Sequence, residues 1–248
     1  MAISTEERPI KAAQIALPLS FDRQFSLDNY FAEKGELIIT SLKLLITDDG
    51  ESVIGLWGGL DSGKTHLINA CAHFARQQEI NFQLYAGDQL AQCDPEYFDI
   101  QANCDILAVD NLDALCGQLR WEEKFYQLIN RCKSGDLRLI FTLADSPQYL
   151  HCLLADFQSR LTWGLLLQLP ASGDSEVEQI IRQRAKLRGL DLSSEVVAYL
   201  LTHYSRRLSA QIDNLRLLDE AALSAQKRIT IPLIKQTLVE PAAADNMG

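Results

Sequence analysis

VIGLWGGLDSGKT, residues 53–65, decides the architecture. Its first five residues are an uninterrupted apolar run, the length of one buried strand. GGLDSGKT (58–65) then fits G-x-x-x-x-G-K-[ST], and residues 64–78 read as a helix. A strand, a glycine-rich turn and a helix form the setting in which this motif binds phosphate. Gly58 and Gly63 let backbone N–H groups close around an anion, reinforced by the positive end of the helix dipole. Lys64 is placed to reach terminal phosphates, and the Thr65 hydroxyl to complete a Mg²⁺ shell. Gly59, Asp61 and Ser62 complete the loop and join the nucleotide-binding candidates.

Working outward, a helix is expected over 35–46. Further strands are expected at FQLYA (82–86), DILAVD (105–110), LRLIFTL (137–143) and GLLLQL (164–169). Near-continuous apolar strands alternating with helices imply a parallel sheet covered on both faces. PASGD (170–174) is turn chemistry, and Ser175 with Glu178 fits a capping box. Helices are then expected at 175–188, 193–203, 206–226 and 231–239, the last capped by Thr230 with Pro232 in its first turn. The expectation is an α/β P-loop domain over residues 21–170, with a five-stranded parallel sheet flanked by helices. A small all-helical lid follows over 171–240, with a leader at 1–20 and a frayed tail at 241–248.

ILAVDN (106–111) supplies the second anchor. Asp110 ends a buried strand and is placed to hold a hydrated Mg²⁺ opposite the phosphate loop. Asn111 follows it, and an amide can orient a water but cannot take its proton. Asp113, two residues further on, is expected to face elsewhere. Hydrolysis of nucleotide by this site is therefore expected to be weak or absent.

Composition narrows the partners. Residues 1–170 hold 13 Lys and Arg against 23 Asp and Glu, and residues 171–248 hold ten of each. Neither part is the basic body that grips DNA by its phosphates. No apolar run is long enough to span a membrane, and the N-terminus lacks the apolar core of a secretory signal, so a cytoplasmic location is expected. The six cysteines form no C-x-x-C pair, and are expected as free, mostly buried thiols. His66 and His73, seven apart on one helix, read as packing residues.

The phosphate loop, ILAVDN, QSRLTWG (158–164) and KRITIPLIK (227–235) together resemble the Hda family of DnaA-related AAA+ regulators, over residues 12–240. The resemblance implies bound ADP or ATP, with Mg²⁺ held through Thr65 and Asp110 where present. It makes Arg160 an arginine finger acting in trans, stabilising transition-state charge on nucleotide held by DnaA. It makes Asp145 a sensor of the γ-phosphate. It aligns QIALPL (14–19) with a sliding-clamp docking peptide, in which Gln14, Leu17 and Leu19 enter a pocket and Pro18 keeps the backbone extended. DnaA and the polymerase sliding clamp are then the partners, and DNA is reached through the clamp. The chain departs from the family pattern at Ser209, which stands where a lid arginine is usual. The implied function is negative regulation of replication initiation. Two other readings stay open on the residues: an autonomous P-loop ATPase or kinase, and a nucleotide-independent clamp adaptor. The sequence also allows a homo-oligomer.

Overall fold

The computed structural model describes residues 25–30, 35–98, 104–171 and 173–238. The leader carrying Gln14, Leu17, Pro18 and Leu19, and residues 239–248, lie outside the described residues.

Helix α1 (Gly35–Thr47) precedes strand β1 (Val53–Trp57), the phosphate loop and α2 (Lys64–Gln77). Strand β2 (Phe82–Ala86) runs into the single-turn α3 (Gly87–Leu90). Then come β3 (Ile106–Asp110), α4 (Leu119–Lys133), β4 (Arg138–Leu143), α5 (Ala155–Leu161) and β5 (Leu165–Gln168). The five strands form one sheet in the order β2-β3-β4-β1-β5, and every pairing is parallel. The α/β expectation holds.

Strand alternation splits the core in two. Val53, Leu107, Val109, Leu139 and Phe141 meet Trp121, Phe125 and Leu128 of α4 and Phe157 of α5. Ile54, Leu56, Ile106, Ala108 and Ile140 face the opposite way, onto Leu42 and Leu45 of α1 and Leu67 and Cys71 of α2. With both faces covered, no strand position can be polar without a reason. Thr142 in β4 is fully buried, and its reason lies in the site below.

Residues 119–133, to which no element is assigned above, form α4. Trp121, Phe125, Leu128, Ile129 and Cys132 give it one apolar stripe at helical spacing. Glu122 on the same helix is fully buried. Its carboxylate accepts from Gly117 N (2.7 Å), Leu153 N (3.0 Å) and Leu154 N (2.6 Å). Three backbone donors on one charge fix the segment that leads into α5.

Past β5 the chain is helical: α6 (Asp174–Leu187), α7 (Ser194–His203), α8 (Leu208–Ala225) and α9 (Ile231–Thr237). Ile181, Ala185, Val197 and Leu215 make one small core, and Leu200, Leu218 and Ile234 another. The expected capping box shifts by two residues. Gly173 is the N-cap of α6, and Glu176 accepts from its backbone N–H at 3.0 Å. Glu178 instead pairs with Arg182 one turn on, at 2.8 Å. Thr230 occupies the cap position of α9, but its side chain makes no capping bond. All six cysteines are free, with Cys71, Cys104 and Cys132 buried.

Candidate functional site

The phosphate loop leaves β1 at the carboxyl edge of the sheet, where open parallel sheets bind their ligands. Gly63 takes φ of +90°, a conformation open to glycine at little cost, and a Cβ there would meet the Tyr30 ring at 2.8 Å. At Gly58 a Cβ would stand 2.6 Å from the Leu169 carbonyl oxygen. Close approach thus fixes both motif glycines, and backbone conformation fixes Gly63 as well. Lys64 Nζ donates to the carbonyls of Gly58 (2.5 Å) and Gly59 (2.7 Å). Ser62 Oγ donates to Gly59 O at 2.9 Å and closes the loop. Burial pulls the Lys64 ammonium below the ordinary lysine pKa, against the attraction of Asp110, Asp113 and Asp61.

Asp110 is held from two sides. Thr65 Oγ1 donates to its Oδ2 at 2.8 Å, and Thr142 Oγ1 donates to its Oδ1 at 2.5 Å. Thr142 Oγ1 also accepts from Asn111 N at 2.8 Å. One buried hydroxyl therefore sets both residues of the Asp-Asn pair, and Asn111 sits in the left-handed region at φ +59°, which Asn tolerates. The donor set suits Mg²⁺. Thr65 gives its proton to Asp110, so its oxygen lone pairs are left for a hard cation, with a carboxylate beside it. Among the described residues no cluster of three His, Cys, Asp or Glu side chains could hold a metal. A cation here would need phosphate oxygens to complete its shell.

A cavity of about 400 Å³ opens from this loop toward the lid. Asp61, Ser62, Gly63, Lys64, Thr65 and Asn111 line it on the loop side. Phe25, Asn29 and Tyr30 line it from the segment before α1, and Ile180, Arg184, Leu208, Ser209 and Ile212 from the lid. Tyr30 lies across the loop, and burial, with a smaller push from Glu176, raises its hydroxyl to about 12. The lid reaches the loop at its tip: Ser209 Oγ donates to Asp61 Oδ2 at 3.2 Å, with Arg207 Nε 3.8 Å from the same oxygen.

His66, read above as a packing residue, is a wall of this cavity. Its Nε2 lies 3.1 Å from Ser26 O and its Nδ1 2.9 Å from Arg184 Nη2. A guanidinium only donates, so Nδ1 accepts and Nε2 carries the proton. Burial first and the Arg184 charge second hold the imidazole neutral, with a pKa of about 4, although the Ser26 bond acts the other way.

Three residues lie apart. Asp145 is exposed, accepts from Ser146 N at 2.7 Å and is not part of the cavity wall. Asp113 is half buried and also outside the wall, its carboxyl raised by burial and, less, by Asp88. Arg160 lies in the last turn of α5, its guanidinium 5.6 Å from the centre of the Tyr126 ring, and does not line the cavity. Phe25, Asn29, Tyr30, Thr142 and Arg184 were not singled out by sequence reasoning. Thr142 alone left a signal, a hydroxyl inside the apolar run LRLIFTL.

A family model described as the bacterial DnaA ATPase domain matches residues 22–168. The chain belongs to the DnaA ATPase family. Residues 174–238 match the lid domain of Hda, which makes this an Hda-like, DnaA-related AAA+ protein. A protein of Haemophilus influenzae described as uncharacterised is 31% identical over 231 residues, 91% of this chain and 98% of that one. Two solved structures share the fold. Domain III of the Thermotoga maritima initiation protein DnaA has a TM-score of 0.74 at 16% identity, over 87% of this chain and 96% of that one. AMPPCP-bound DnaA from Aquifex aeolicus has a TM-score of 0.68 at 21% identity, over 82% of this chain and 67% of that one. No described helix is long and apolar enough to cross a membrane.

Proposed function

We propose that this chain is a cytoplasmic negative regulator of replication initiation that holds an adenine nucleotide, docks on the sliding clamp and stimulates ATP hydrolysis by DnaA. The observation that carries this reading is the separation of Arg160 from the chain's own site. A residue that stabilises charge on its own nucleotide must stand at the cavity; Arg160 stands on α5, outside it. The same cavity has Asn111 where a base would be needed, so the site is suited to holding nucleotide rather than cleaving it.

The parts divide as follows. The loop N–H groups and Lys64 grip the phosphates, Thr65 and Asp110 hold Mg²⁺ where nucleotide brings it, and the lid closes over the cavity. A bound cation would neutralise phosphate charge there. The AMPPCP on the Aquifex relative supports an adenine nucleotide as ligand. Arg160 would place a planar, permanently charged fork against phosphate oxygens on DnaA, a geometry that lysine cannot reproduce. Residues 14–19 would supply the tether to DNA that the acidic body of the chain lacks.

The test measures ATP hydrolysis by DnaA with this protein, clamp and DNA added singly and together. Stimulation should require all components. Arg160→Ala should abolish most of it while ADP and clamp binding persist, since fingers supply about 10³–10⁵ in rate in well-studied cases. Replacing Gln14 and Leu17 with Ala should remove clamp binding without moving the melting temperature. Normal stimulation by Arg160→Ala would end the finger assignment, and strong turnover by the isolated protein would favour an autonomous ATPase.

A further inference from the structure

Two thiols outside the cavity stand together. Cys152 Sγ donates to Cys116 Sγ at 3.5 Å, across 36 positions of sequence. All six cysteines are free, and Cys71, Cys104 and Cys132 are buried. Cys93, Cys116 and Cys152 are half-buried, but the Cys93 thiol donates to the Gln89 carbonyl. Cys116 ends the single turn Leu112–Leu115 that follows Asn111. Cys152 lies in the segment leading into α5, beside Leu153, which is 65% exposed. Glu122 sets the frame around the pair. Its carboxylate accepts from Gly117 N, just after Cys116, and from Leu153 N and Leu154 N, just after Cys152. One buried charge thus holds the backbone beside both thiols.

We propose that Cys116 and Cys152 form a reversible disulfide site, closed by a two-electron oxidant such as hydrogen peroxide and opened by a dithiol. A disulfide holds its sulfurs at about 2.05 Å, so closure brings these two together by roughly 1.5 Å in all. Burial raises both thiols, while their contact raises Cys116 further and draws Cys152 down. Cys152 therefore supplies the first thiolate. Glu122 beside both, and Asp113 beside Cys116, oppose ionisation, so closure is slow. The thiolate attacks one peroxide oxygen, the O–O bond breaks and hydroxide leaves. Cys152 is then a sulfenic acid, which the Cys116 sulfur attacks. The S–S bond forms, the S–O bond breaks and a second hydroxide leaves. With the two thiol protons, the products are one disulfide and two waters. A dithiol reverses this by exchange through a mixed disulfide. The bridge ties the turn after the Asp-Asn pair to the entry of α5, whose last turn carries Arg160. The loop it closes contains α4 and β4. Neither nucleotide nor a partner is needed for it to form.

The test treats the reduced full chain with hydrogen peroxide and maps the product by peptide mass spectrometry. The product should be lighter by two hydrogens, with Cys116 and Cys152 in one crosslinked peptide pair, and dithiothreitol should restore the starting mass. The oxidised chain should melt higher by roughly 4–16 °C, the span for a crosslink closing a long loop in a chain of this length. Cys152→Ser should form no bridge, and Cys116→Ser should leave a sulfenic acid at Cys152 that dimedone traps. Mapping of the parent chain decides the matter even where a serine variant folds poorly. Thiols that stay open to alkylation after treatment, or sulfinic acid in place of the bridge, would overturn the proposal. So would a bridge from either cysteine to Cys93 or to a second copy of the chain. A Cys116–Cys152 bridge formed in equal yield by the urea-denatured chain would show that the folded placement plays no part. A bridged chain that melts no higher than the reduced one would mean that closure disrupts the Glu122 frame, and the pair would be a site of damage.

Discussion

Thr142→Val is the most informative single substitution. Valine matches threonine in shape, so no cavity opens, and the change removes only the hydroxyl. That hydroxyl donates to Asp110 Oδ1 at 2.5 Å and accepts from Asn111 N at 2.8 Å, in a fully buried side chain. Leaving the Asn111 N–H without its partner costs about 1–3 kcal/mol, and loss of the bond to the part-exposed Asp110 carboxylate adds roughly 1 kcal/mol. A total of about 2–4 kcal/mol should lower the melting temperature by roughly 4–16 °C, at 2–4 °C per kcal/mol for a chain of this length. Asp110 would keep only Thr65 as an orienting donor, so the Mg²⁺ dependence of nucleotide affinity should weaken too. Thermal unfolding with and without ADP and Mg²⁺ reads both effects, and Thr142→Ser should restore most of each. If Thr142→Val melts within about 1 °C of the parent and binds nucleotide with the same Mg²⁺ dependence, Asp110 is not set by β4 and the account of the Asp-Asn pair fails.

Three further outcomes are expected. Lys64→Ala should weaken ADP about tenfold to a hundredfold by titration, as one charge-assisted contact is lost; unchanged affinity would place the nucleotide elsewhere. Glu122→Ala should cost at least about 3 kcal/mol in denaturant unfolding, because three backbone donors lose their acceptor; a near-neutral result would mean that water replaces the carboxylate at no cost. His66 gives a pH signature. Its pKa falls from 6.5 unfolded to about 4 folded, so the unfolded chain binds the extra proton in that interval. Stability is therefore full above about pH 6.5 and is lost as the pH falls toward 4, by up to about 3 kcal/mol from this residue. His66→Gln should flatten that part of the stability profile, and an unaltered profile would mean that the imidazole is not desolvated.

Much of this fold was legible because its strands are buried on both faces. Five continuous apolar runs, each ended by turn residues or by a motif, leave few arrangements other than a parallel sheet with crossover helices. Strands β1 and β2 match expectation, and the other three are shorter by one residue at one end or both, with Leu137 and Leu169 buried just beyond them. The helix caps were harder. Ser175 and Glu178 have the residue types of a capping box, but the helix is capped two residues earlier, at Gly173 with Glu176, and glycine carries no side-chain signal. The loop side of the site was readable from local spacing. The lid side was not, since Arg184 and His66 are 118 residues apart, and only the docking of α6 onto α2 brings them together. A histidine at helical spacing looks like packing until the residue facing it is known.

The Asp-Asn pair can now be set against the position of Arg160. A hydrolytic site needs a bound phosphate, an oriented water, a base for its proton and a cation on the transition state. Here the phosphate loop and the Thr65–Asp110–Thr142 chain of hydrogen bonds provide for the first. Asn111 could orient a water but not deprotonate it. Asp113, the next acid after Asn111, has its carboxyl raised by burial, and it stands outside the cavity wall. Arg160 holds its charge against the Tyr126 ring of α4 and does not line the cavity. Restoring an acid at position 111 would therefore repair one missing part and leave the cation missing. Asn111→Asp should raise the chain's own turnover only slightly, measured by phosphate release from the isolated protein. A large rise would show that a cation already serves this site, from Arg184 or from a second copy of the chain, and would remove the reason for assigning Arg160 to a partner's nucleotide.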